Sequence, residues 1–370
     1  MLRERGGIRM AQDLNYWDRT EGSGLRFSVV TTIQAPTTSV SALVRFGHRF
    51  DIPVLAVGDR KSPVCDWPRG SEFLSLARQK CMGYRLAELL PVDHYSRKNL
   101  GYLEAIGRGA TVLFDTDDDN APLSHWRPRG VQTEARQLRY NGWVNVYRWF
   151  SRRFIWPRGI PLEHLHECQR AKVDAGSIGL VECPVQQGLV NGSPDVDAVW
   201  RLTLDEEFSF DEAPSVWLAP GSWCPFNSQS TWWFRKSFVL LYLPSSVSMR
   251  VTDIWRSFVA QRCLWELGYG VAFHGPESVQ HRNAHNLLRD FEQEIPAYLN
   301  NNRIISILEK IQLSSRADAI GDNLHRCYEA LASDGIMPNR EMPRVEAWLC
   351  DFDACRSRNE LQHKATYTAA

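Results

Sequence analysis

YSRKNLGYLEAIGRGATVLFDTDDDN, residues 95–120, decides the fold, because one unbroken stretch carries a helical pattern, a buried strand and a group of acidic residues. The helical pattern covers Ser96 to Arg108 and closes with glycines, which are typical helix terminators. Thr111 to Phe114 is a short, apolar and partly β-branched run, as expected of a strand that is buried on both faces. A helix that leads directly into a buried strand is a unit of an α/β fold.

Two more apolar runs precede this stretch and extend the pattern. Phe27 to Thr31 and Pro53 to Val57 have strand character, and Ser39 to Phe50 and Gln79 to Leu90 have helical character. Strands that alternate with helices pair in parallel, since each helix returns the chain to the same edge of the sheet. The sequence therefore predicts an α/β fold built on a doubly wound, mostly parallel sheet.

The second half of the chain is less regular. Loops and a smaller mixed sheet are predicted after residue 122, with a strand at Gly179 to Cys183, and Val251 to Leu267 is an amphipathic helix. Further C-terminal helices are predicted at Ala284 to Glu294, Asn301 to Gln312, Ala317 to Ala332 and Arg344 to Asp351. The predicted organisation is a flexible leader at 1–24, a domain at 25–300 with halves 25–122 and 123–300, a helical extension at 301–358 and a disordered tail at 359–370.

The composition excludes several classes of function. Lysine and arginine (43) balance aspartate and glutamate (43), so no net positive field exists to hold a nucleic acid. No apolar stretch approaches the roughly 20 residues of a membrane span, and no signal peptide is predicted. Nine scattered cysteines without a C-x-x-C pair favour a reducing, cytoplasmic location. Neither G-x-x-x-x-G-K-[ST] nor G-x-G-x-x-G follows the first strand, which disfavours P-loop kinases and Rossmann dehydrogenases.

The acidic residues after the third strand are the clearest chemical signal. Asp115, Asp117, Asp118 and Asp119 place four carboxylates within five residues, and these repel one another unless a cation lies among them. Carboxylate oxygens suit Mg²⁺ or Mn²⁺, and two of them leave positions for water and a diphosphate. The pattern predicts a divalent cation that neutralises the leaving diphosphate of a nucleotide sugar. A solvated acidic turn and a structural calcium loop are the alternatives.

Other polar residues are expected beside these acids, because ligands of such sheets bind at the carboxyl ends of the strands. Thr31 and Thr32 end the first strand, and Asp59, after the second strand, is a candidate acceptor for a uracil N–H. Arg97 and Asn99 lie in the first helical turn before the acidic strand and are candidates for contacts to phosphate, base or ribose. The alternatives are a solvated basic turn and, for Asp59, a turn cap.

Several segments, in colinear order over about residues 28–290, resemble a known family. VVTTIQAPT, VLAVGDRKSP, the opening stretch, CPFNSQSTWWFRKSF and LYLPSSVSMRVTDIWRSFVAQRCLW are similar to the STELLO family of glycosyltransferases. QGLVNGSPDVDA (187–198) and the DDD triplet are distantly similar to the reversibly glycosylated polypeptides, which act as UDP-arabinopyranose mutases. The long membrane-anchored amino-terminal region of the plant members has no counterpart in this sequence, so we expect a cytosolic enzyme.

The resemblance implies a GT-A fold, a nucleotide-sugar donor with uridine as its base, and a divalent metal. Residue by residue, it implies a metal motif at Asp117, Asp118 and Asp119, a base contact at Asp59, and diphosphate contacts at Arg97 and Asn99. Since GT-A enzymes often complete the metal site with a late histidine, the candidates are His274, His281 and His285, of which we favour His281. The alternative for each of them is an ordinary core or surface histidine, which is the more common role of such a residue.

The acceptor side is expected from the second half of the chain. Asp253 starts the amphipathic helix and is the candidate base that deprotonates an acceptor hydroxyl, and Arg256, one turn later, is the candidate that holds it in position. The alternative for Asp253 is a helix N-cap. Further residues have both an acceptor-site or ligand interpretation and a structural one: Asp195 and Asp197, Trp232 and Trp233, and the alternating His164, His166 and Cys168, which we interpret as structural.

The leading hypothesis is a metal-dependent GT-A glycosyltransferase that moves a sugar from a nucleotide-sugar donor to a carbohydrate or glycoconjugate acceptor. One alternative is a nucleotide-sugar mutase, which forms its product without an acceptor. The other is a non-catalytic partner protein that keeps the sugar-nucleotide pocket but lacks the base. The identity of the sugar depends on the shape of a pocket built from several loops, so the sequence leaves it open.

Overall fold

The computed structural model describes residues 24–204, 206–282 and 286–368, and every structural statement below refers to these ranges. Residues 1–23 of the predicted leader, as well as His285, lie outside them. The strands are β1 Leu25–Thr32, β2 Val54–Gly58, β3 Ser71–Leu74, β4 Ala110–Thr116, β5 Asn120–Pro122, β6 Gln132–Arg139, β7 Gly142–Trp143, β8 Asp174–Glu182, β9 Val185–Asn191, β10 Val216–Leu218, β11 Ser222–Trp223, β12 Ser230–Phe234 and β13 Val271–Gln280. The helices are α1 Thr38–Phe50, α2 Leu76–Cys81, α3 Arg85–Leu89, α4 Lys98–Gly107, α5 Leu165–Arg170, α6 Ala198–Thr203, α7 Thr252–Glu266, α8 Leu287–Lys310, α9 Ile320–Ser333 and α10 Met342–Thr368.

Within these ranges, eleven strands form one sheet. Its main path runs in the order β3-β2-β1-β4-β12-β9-β13-β10-β6-β8, and β5 pairs with β13. Neighbouring strands of the β3-β2-β1-β4 half pair in parallel. The other half contains both parallel and antiparallel pairs, and β7 and β11 form a small second sheet. The predicted α/β class, with a large sheet, a smaller one and C-terminal helices, is confirmed.

Helix α4 packs tightly on the parallel half of the sheet because a glycine faces the strands. A Cβ atom at Gly101 would lie 2.6 Å from Val57 Cγ2 and 2.7 Å from Val29 Cγ1. All seven residues of β4 are buried, which explains why four of the five residues before Asp115 are apolar. This packing sets the position of the acidic end of β4 relative to the start of α4.

The tryptophan pair Trp232 and Trp233 lies in β12, which runs antiparallel to β4. Both side chains are fully buried on opposite faces of the sheet. Trp232 packs against Phe114 and Trp126, with ring centroids 4.5 and 5.3 Å away. The structural interpretation of this pair therefore applies, and neither ring is available to stack on a sugar.

Helix boundaries differ from the predictions at Gly83 and Pro296. The helix predicted at Gln79 to Leu90 is divided into α2 and α3, because Gly83 has a positive φ of 75°. The two helices predicted on either side of residue 300 form one helix, α8, that continues through Pro296. The predicted domain boundary at residue 300 therefore falls inside a continuous helix.

The last helix, α10, is longer than predicted. It runs from Met342 to Thr368, so the described part of the segment predicted as a disordered tail is helical. The carboxylate of Asp351 accepts hydrogen bonds from the backbone N–H groups of Arg85 and Leu86, 3.0 and 2.9 Å away, at the start of α3. None of the helices in the described ranges has the length and apolarity that crossing a membrane requires.

Candidate active site

A cleft of about 860 Å³ opens at the carboxyl ends of the parallel strands. The ends of β1, β2 and β4 supply Thr31, Thr32, Asp59 and the turn Asp117 to Asp119 to its lining. The structure thus brings together most of the residues that the sequence indicated for a donor site. Side chains from the second half of the chain complete the lining, namely Arg158, Asp195, Arg201, Arg250, Asp253 and, from the segment 280–293, Gln280, Arg282, Asn286, Arg289, Asp290 and Gln293.

Asp115 lies beneath the floor of this cleft and is neutralised by two cations of the protein. Its carboxylate oxygens are 2.6 Å from the ammonium nitrogen of Lys98 and 3.0 Å from a guanidinium nitrogen of Arg256. The side chains of Asp115 and Lys98 are completely buried, and that of Arg256 is 1% exposed. Asp115 is therefore a structural charge rather than a ligand.

Asp117 is the first acid of the run that reaches the cleft. Its Oδ1 accepts a hydrogen bond from the Tyr95 hydroxyl at 2.7 Å and lies 3.3 Å from Lys98 Nζ. Burial raises the pKa of Asp117 to about 7; Lys98 and Tyr95 act in the opposite direction, while the charges of Asp119 and Asp115 add to the rise. The carboxylate is thus held in place, but its negative charge is only partly compensated.

Asp118 and Asp119 complete the turn. The Thr32 hydroxyl donates to Asp118 Oδ2 at 2.6 Å, and Gln280 Nε2 donates to Asp119 Oδ2 at 3.0 Å. Burial, together with the charge of Asp119, raises the pKa of Asp118, although the Thr32 bond opposes this. Like charges therefore disfavour ionisation of both Asp117 and Asp118, and a cation among the three carboxylates would remove that penalty.

The side chains available as metal ligands limit how such a cation would be held. Across the described part of the chain, no group of three or more His, Cys, Asp or Glu side chains is arranged to hold a metal ion. A cation bound by Asp117 and Asp119 would need water and phosphate oxygens as its other ligands, which Mg²⁺ and Mn²⁺ accept. The residues therefore fit a cation that binds together with a diphosphate.

The candidate histidines that the structure describes add no further metal ligand to these carboxylates. The backbone N–H of His281 donates to the Asp119 carbonyl at 3.0 Å, but its side chain is exposed. His274 is buried, 2.6 Å from Ser215 Oγ and 3.0 Å from Gln186 Oε1, and burial lowers its pKa well below 6.5. His281 as a metal ligand stays a prediction, whereas His274 has a structural role.

The residues predicted to contact the nucleotide base and the diphosphate differ in whether they line the cleft. The Asp59 carboxylate accepts bonds from the backbone N–H groups of Asp93 and His94, at 2.8 and 3.0 Å, and also lines the cleft. Arg97 also lines the cleft, although its guanidinium donates to Gln79, Leu90 and Pro91. Asn99 is fully buried and exchanges two 2.9 Å bonds with the Leu243 backbone, which gives it a structural role in place of the predicted diphosphate contact.

Asp253, the predicted catalytic base, lines the cleft but is paired with an arginine. Arg158 donates to both of its oxygens, at 3.1 and 2.9 Å, and also to both oxygens of Asp195. Burial alone would raise the pKa of Asp253, but the Arg158 guanidinium outweighs burial and lowers it. A carboxylate held ionised in this way is a weak proton acceptor.

Arg256 does not hold Asp253 in position as predicted. Its guanidinium instead contacts Asp115 and, at 2.8 Å, Ser228 Oγ. The reason is geometric: position 256 of α7 faces the sheet, where the guanidinium also lies over the Trp233 ring at 4.9 Å from its centroid. Arg256 therefore stabilises the floor of the cleft.

Sequence reasoning missed the roles of Lys98, Tyr95 and Arg158. A signal existed for Lys98 and Tyr95: a helix that precedes a parallel strand starts at the sheet edge where that strand ends, so its first turn meets the residues that follow the strand. No comparable pattern marks Arg158, because its partners Asp195 and Asp253 are 37 and 95 residues away.

The remaining candidates have structural roles. Asp197 is the N-cap of α6 and accepts from the Trp200 N–H at 2.8 Å, while burial raises its pKa to about 6. His164, His166 and Cys168 lie in helical turns rather than on a strand, and Cys168 is buried. The structural interpretation of that group is thus supported.

Comparison with known proteins gives one family. Residues 250–358 match the family model of the STELLO glycosyltransferases. The chain is 34% identical over 351 residues, 89% of its length, to "Probable glycosyltransferase STELLO1" of Arabidopsis thaliana, and 35% identical over 356 residues, 88% of its length, to "Probable glycosyltransferase STELLO2". It spans 44% of the length of each of these curated relatives.

Proposed function

The chain belongs to the STELLO family of glycosyltransferases, and we propose that it transfers a sugar from a nucleotide-sugar donor, a UDP-sugar, with the help of Mn²⁺ or Mg²⁺. One observation carries the proposal: the acids Asp117 to Asp119 lie at the end of a buried parallel strand, on the lining of an 860 Å³ cleft, with incompletely compensated charge. A cleft of this volume accommodates a ligand of nucleotide-sugar size. A GT-A organisation agrees with the parallel β3-β2-β1-β4 half of the sheet.

Different residues of the cleft would bind different parts of the nucleotide-sugar donor. Asp59, at the end of β2, would accept a bond from the base, and Thr31 and Thr32 lie between it and the acidic turn. Asp117 and Asp119 would hold the cation, which neutralises the leaving diphosphate when it is bound. Tyr95 and Lys98 fix the orientation of the Asp117 carboxylate from beneath.

Transfer breaks the bond between the sugar C1 and the diphosphate oxygen, and the electron pair leaves with the diphosphate. An acceptor hydroxyl oxygen bonds to C1 and gives up its proton. Asp253 is near enough to the cleft to act as proton acceptor, but its pairing with Arg158 makes it a weak one. An acceptor in this family would be a carbohydrate or a glycoconjugate.

The weak basicity of Asp253 favours a second candidate, a nucleotide-sugar mutase. In a mutase the bond between C1 and the diphosphate oxygen breaks, the sugar rearranges and the same type of bond forms again. No proton is lost to an acceptor overall, so no strong base is required. The two candidates differ in whether a product forms from the donor alone.

Thermal stabilisation of the purified chain tests the donor site. We expect a shift in melting temperature with UDP or a UDP-sugar that requires Mn²⁺ or Mg²⁺, is lost with excess chelator, and is lost in Asp117→Ala and Asp119→Ala. A ligand at 100 times its dissociation constant adds about 2.7 kcal/mol to the free energy of unfolding, which is readily measured.

Asp174→Ala, at an exposed carboxylate on β8, is the matched control and should keep the full shift. Equal shifts in wild type and Asp117→Ala, or no shift with any nucleotide, would contradict the proposal. Product formation from the UDP-sugar alone would favour the mutase.

A further inference from the structure

One part of the cleft lining consists of Asp195, Asp253 and the arginine that holds them, Arg158, all of whose N–H groups are occupied. Arg158 is 7% exposed, and each of the five N–H groups of its guanidinium has an acceptor. Two of these N–H groups donate to Asp195 at 2.7 and 3.0 Å and two donate to Asp253 at 3.1 and 2.9 Å. The fifth donates to the Arg250 carbonyl. Arg158 therefore has no donor left for a phosphate or a carboxylate of a ligand.

The two aspartates in this arrangement keep acceptor capacity. An ionised carboxylate offers about four lone-pair sites, and Arg158 occupies two on each aspartate. The backbone N–H of Ile254 takes one more on Asp253. Both aspartates line the cleft, where they are 6–7% exposed. Asp195, Asp253 and Arg158 thus present fixed carboxylate acceptors and together carry a formal charge of −1, while Arg201 and Arg250 add positive charge elsewhere on the cleft lining.

Arg250 and Arg201, two further cations of the cleft lining, have partners within the protein. Arg250 donates to Glu294, and Arg201 donates to the Pro194 carbonyl and lies over the Trp200 ring at 5.4 Å from its centroid. A negatively charged group placed against Asp195 and Asp253 would therefore meet two carboxylates, and the N–H groups of Arg158 are already occupied. A hydroxyl group placed there would find the acceptors it needs.

We infer that Asp195 and Asp253, fixed by Arg158, determine the sugar specificity of the donor site by accepting hydrogen bonds from hydroxyl groups of a neutral sugar and by disfavouring an acidic one. The inference rests on the proposed function, since it assigns the sugar end of the same cleft. Arg158 acts through the two aspartates and is a positioning residue. With the diphosphate at the acidic turn, the sugar would extend along the same cleft to these two aspartates.

The test compares three probes in the presence of Mn²⁺: UDP, UDP-glucose and UDP-glucuronate. The last two differ only in the CH₂OH or carboxylate at C5, so their affinity ratio isolates the sugar charge. We expect wild type to bind UDP-glucose at least tenfold more tightly than UDP-glucuronate, measured by calorimetry. We expect Asp195→Asn and Asp253→Asn to reduce that ratio severalfold while the affinity for UDP alone changes less than twofold.

Asp174→Asn is the matched control, because Asp174 is an exposed carboxylate of β8 that does not line the cleft. It removes the same charge from outside the cleft and should leave the ratio unchanged. Unaltered UDP binding verifies that each variant is folded. A wild-type ratio near one, or a ratio that Asp195→Asn leaves unchanged while UDP still binds, would overturn the inference. Failure of wild type to bind UDP itself would instead contradict the proposed function, and the inference with it.

Discussion

At the scale of single residues, Lys98 is the buried charge on which the acidic end of β4 depends. Its ammonium group lies 2.6 Å from Asp115 and 3.3 Å from Asp117, and it donates to the Thr116 carbonyl. Replacing one member of a buried ion pair leaves the other without compensation. We expect Lys98→Met to lower the free energy of unfolding by about 3–5 kcal/mol, measured by urea denaturation.

The matched control is Arg303→Met, which breaks an exposed pair with Asp334. Exposed pairs contribute about 0–1 kcal/mol, so this variant should unfold near the wild-type midpoint. Equal effects of the two substitutions would mean that Lys98 is solvated and does not support the acidic turn.

The pH dependence of stability should report the raised pKa of Asp117. Because its folded pKa of about 7 exceeds the value of 3.8 expected when unfolded, the folded chain binds this proton more tightly. The contribution of Asp117 to the free energy of unfolding is therefore favourable at low pH, and it is lost as the pH rises from about 4 through 7. The side chain is 27% exposed, so we expect on the order of 1–2 kcal/mol rather than the full shift.

Asp117→Asn removes this titration. With chelator present, its free energy of unfolding should exceed that of wild type at pH 8, and the advantage should shrink toward pH 5. Denaturation curves at several pH values check this, with Asp174→Asn as an exposed control. Parallel pH profiles for wild type and Asp117→Asn would show that Asp117 has an ordinary pKa.

The sequence placed the donor-side residues better than the acceptor-side residues, for a physical reason. Thr32, Asp59 and the acidic turn follow strands, and strand order and direction bring such positions to one edge. The roles of Asn99 and Arg256 depend on which way a helical side chain points and what it meets there. That is set by packing with segments more than 100 residues away, which local pattern does not reveal.

At the scale of elements, Asn99 connects α4 to the segment before α7. Its amide donates to the Leu243 carbonyl and accepts from the Leu243 N–H, both at 2.9 Å. Asn99→Ala leaves both buried backbone groups without partners, so we expect a loss of about 1–3 kcal/mol in urea denaturation. The dissociation constant for UDP should stay within twofold of wild type. A large loss of UDP affinity in a folded variant would restore Asn99 as a diphosphate contact.

The close packing of α4 on the sheet predicts different effects for two helical glycines. Gly101→Ala would place a methyl group 2.6 Å from Val57 and should destabilise the chain by about 1–3 kcal/mol. Gly321→Ala in α9 is the control, since its nearest contact would be 3.4 Å from Leu349 and alanine favours helices by about 0.5–1 kcal/mol. Melting temperatures should therefore move in opposite directions, and equal shifts would contradict the tight α4 contact.

The boundaries of helices and strands were predictable where the local sequence has a clear pattern of apolar residues. The α1 and α7 helices agree with their predicted spans within about two residues, because an apolar face defines each. The sequence predicts two helices, Ala284 to Glu294 and Asn301 to Gln312, yet α8 continues from one into the other through Pro296. Its buried positions lie on both sides of the proline, Asp290 and Glu294 before it and Ala297 and Asn301 after it, and tertiary packing of that kind outweighs a local penalty.

At the scale of the whole molecule, the last helix joins the first part of the chain. Buried residues of α10, such as Trp348 and Cys355, belong to the same hydrophobic cluster as Leu103 of α4 and Tyr84 before α3. Sequence reasoning treated 301–358 as an extension because it follows the predicted transferase domain. Long-range packing of this kind has no local signature, whereas the alternation of strands and helices did reveal the sheet.

This shared core predicts that α10 unfolds together with the rest of the chain. Asp351, 5% exposed, accepts two backbone N–H groups at the start of α3, so Asp351→Asn should lower the free energy of unfolding by about 1–3 kcal/mol. In guanidinium titrations, tryptophan fluorescence and far-ultraviolet circular dichroism should show one coincident transition, displaced equally for both probes. Asp353→Asn, on the same helix but 61% exposed and paired only with Arg356 among the described residues, should leave the midpoint unchanged. Two separate transitions, of which Asp351→Asn moves only one, would instead establish the C-terminal helices as an independent unit.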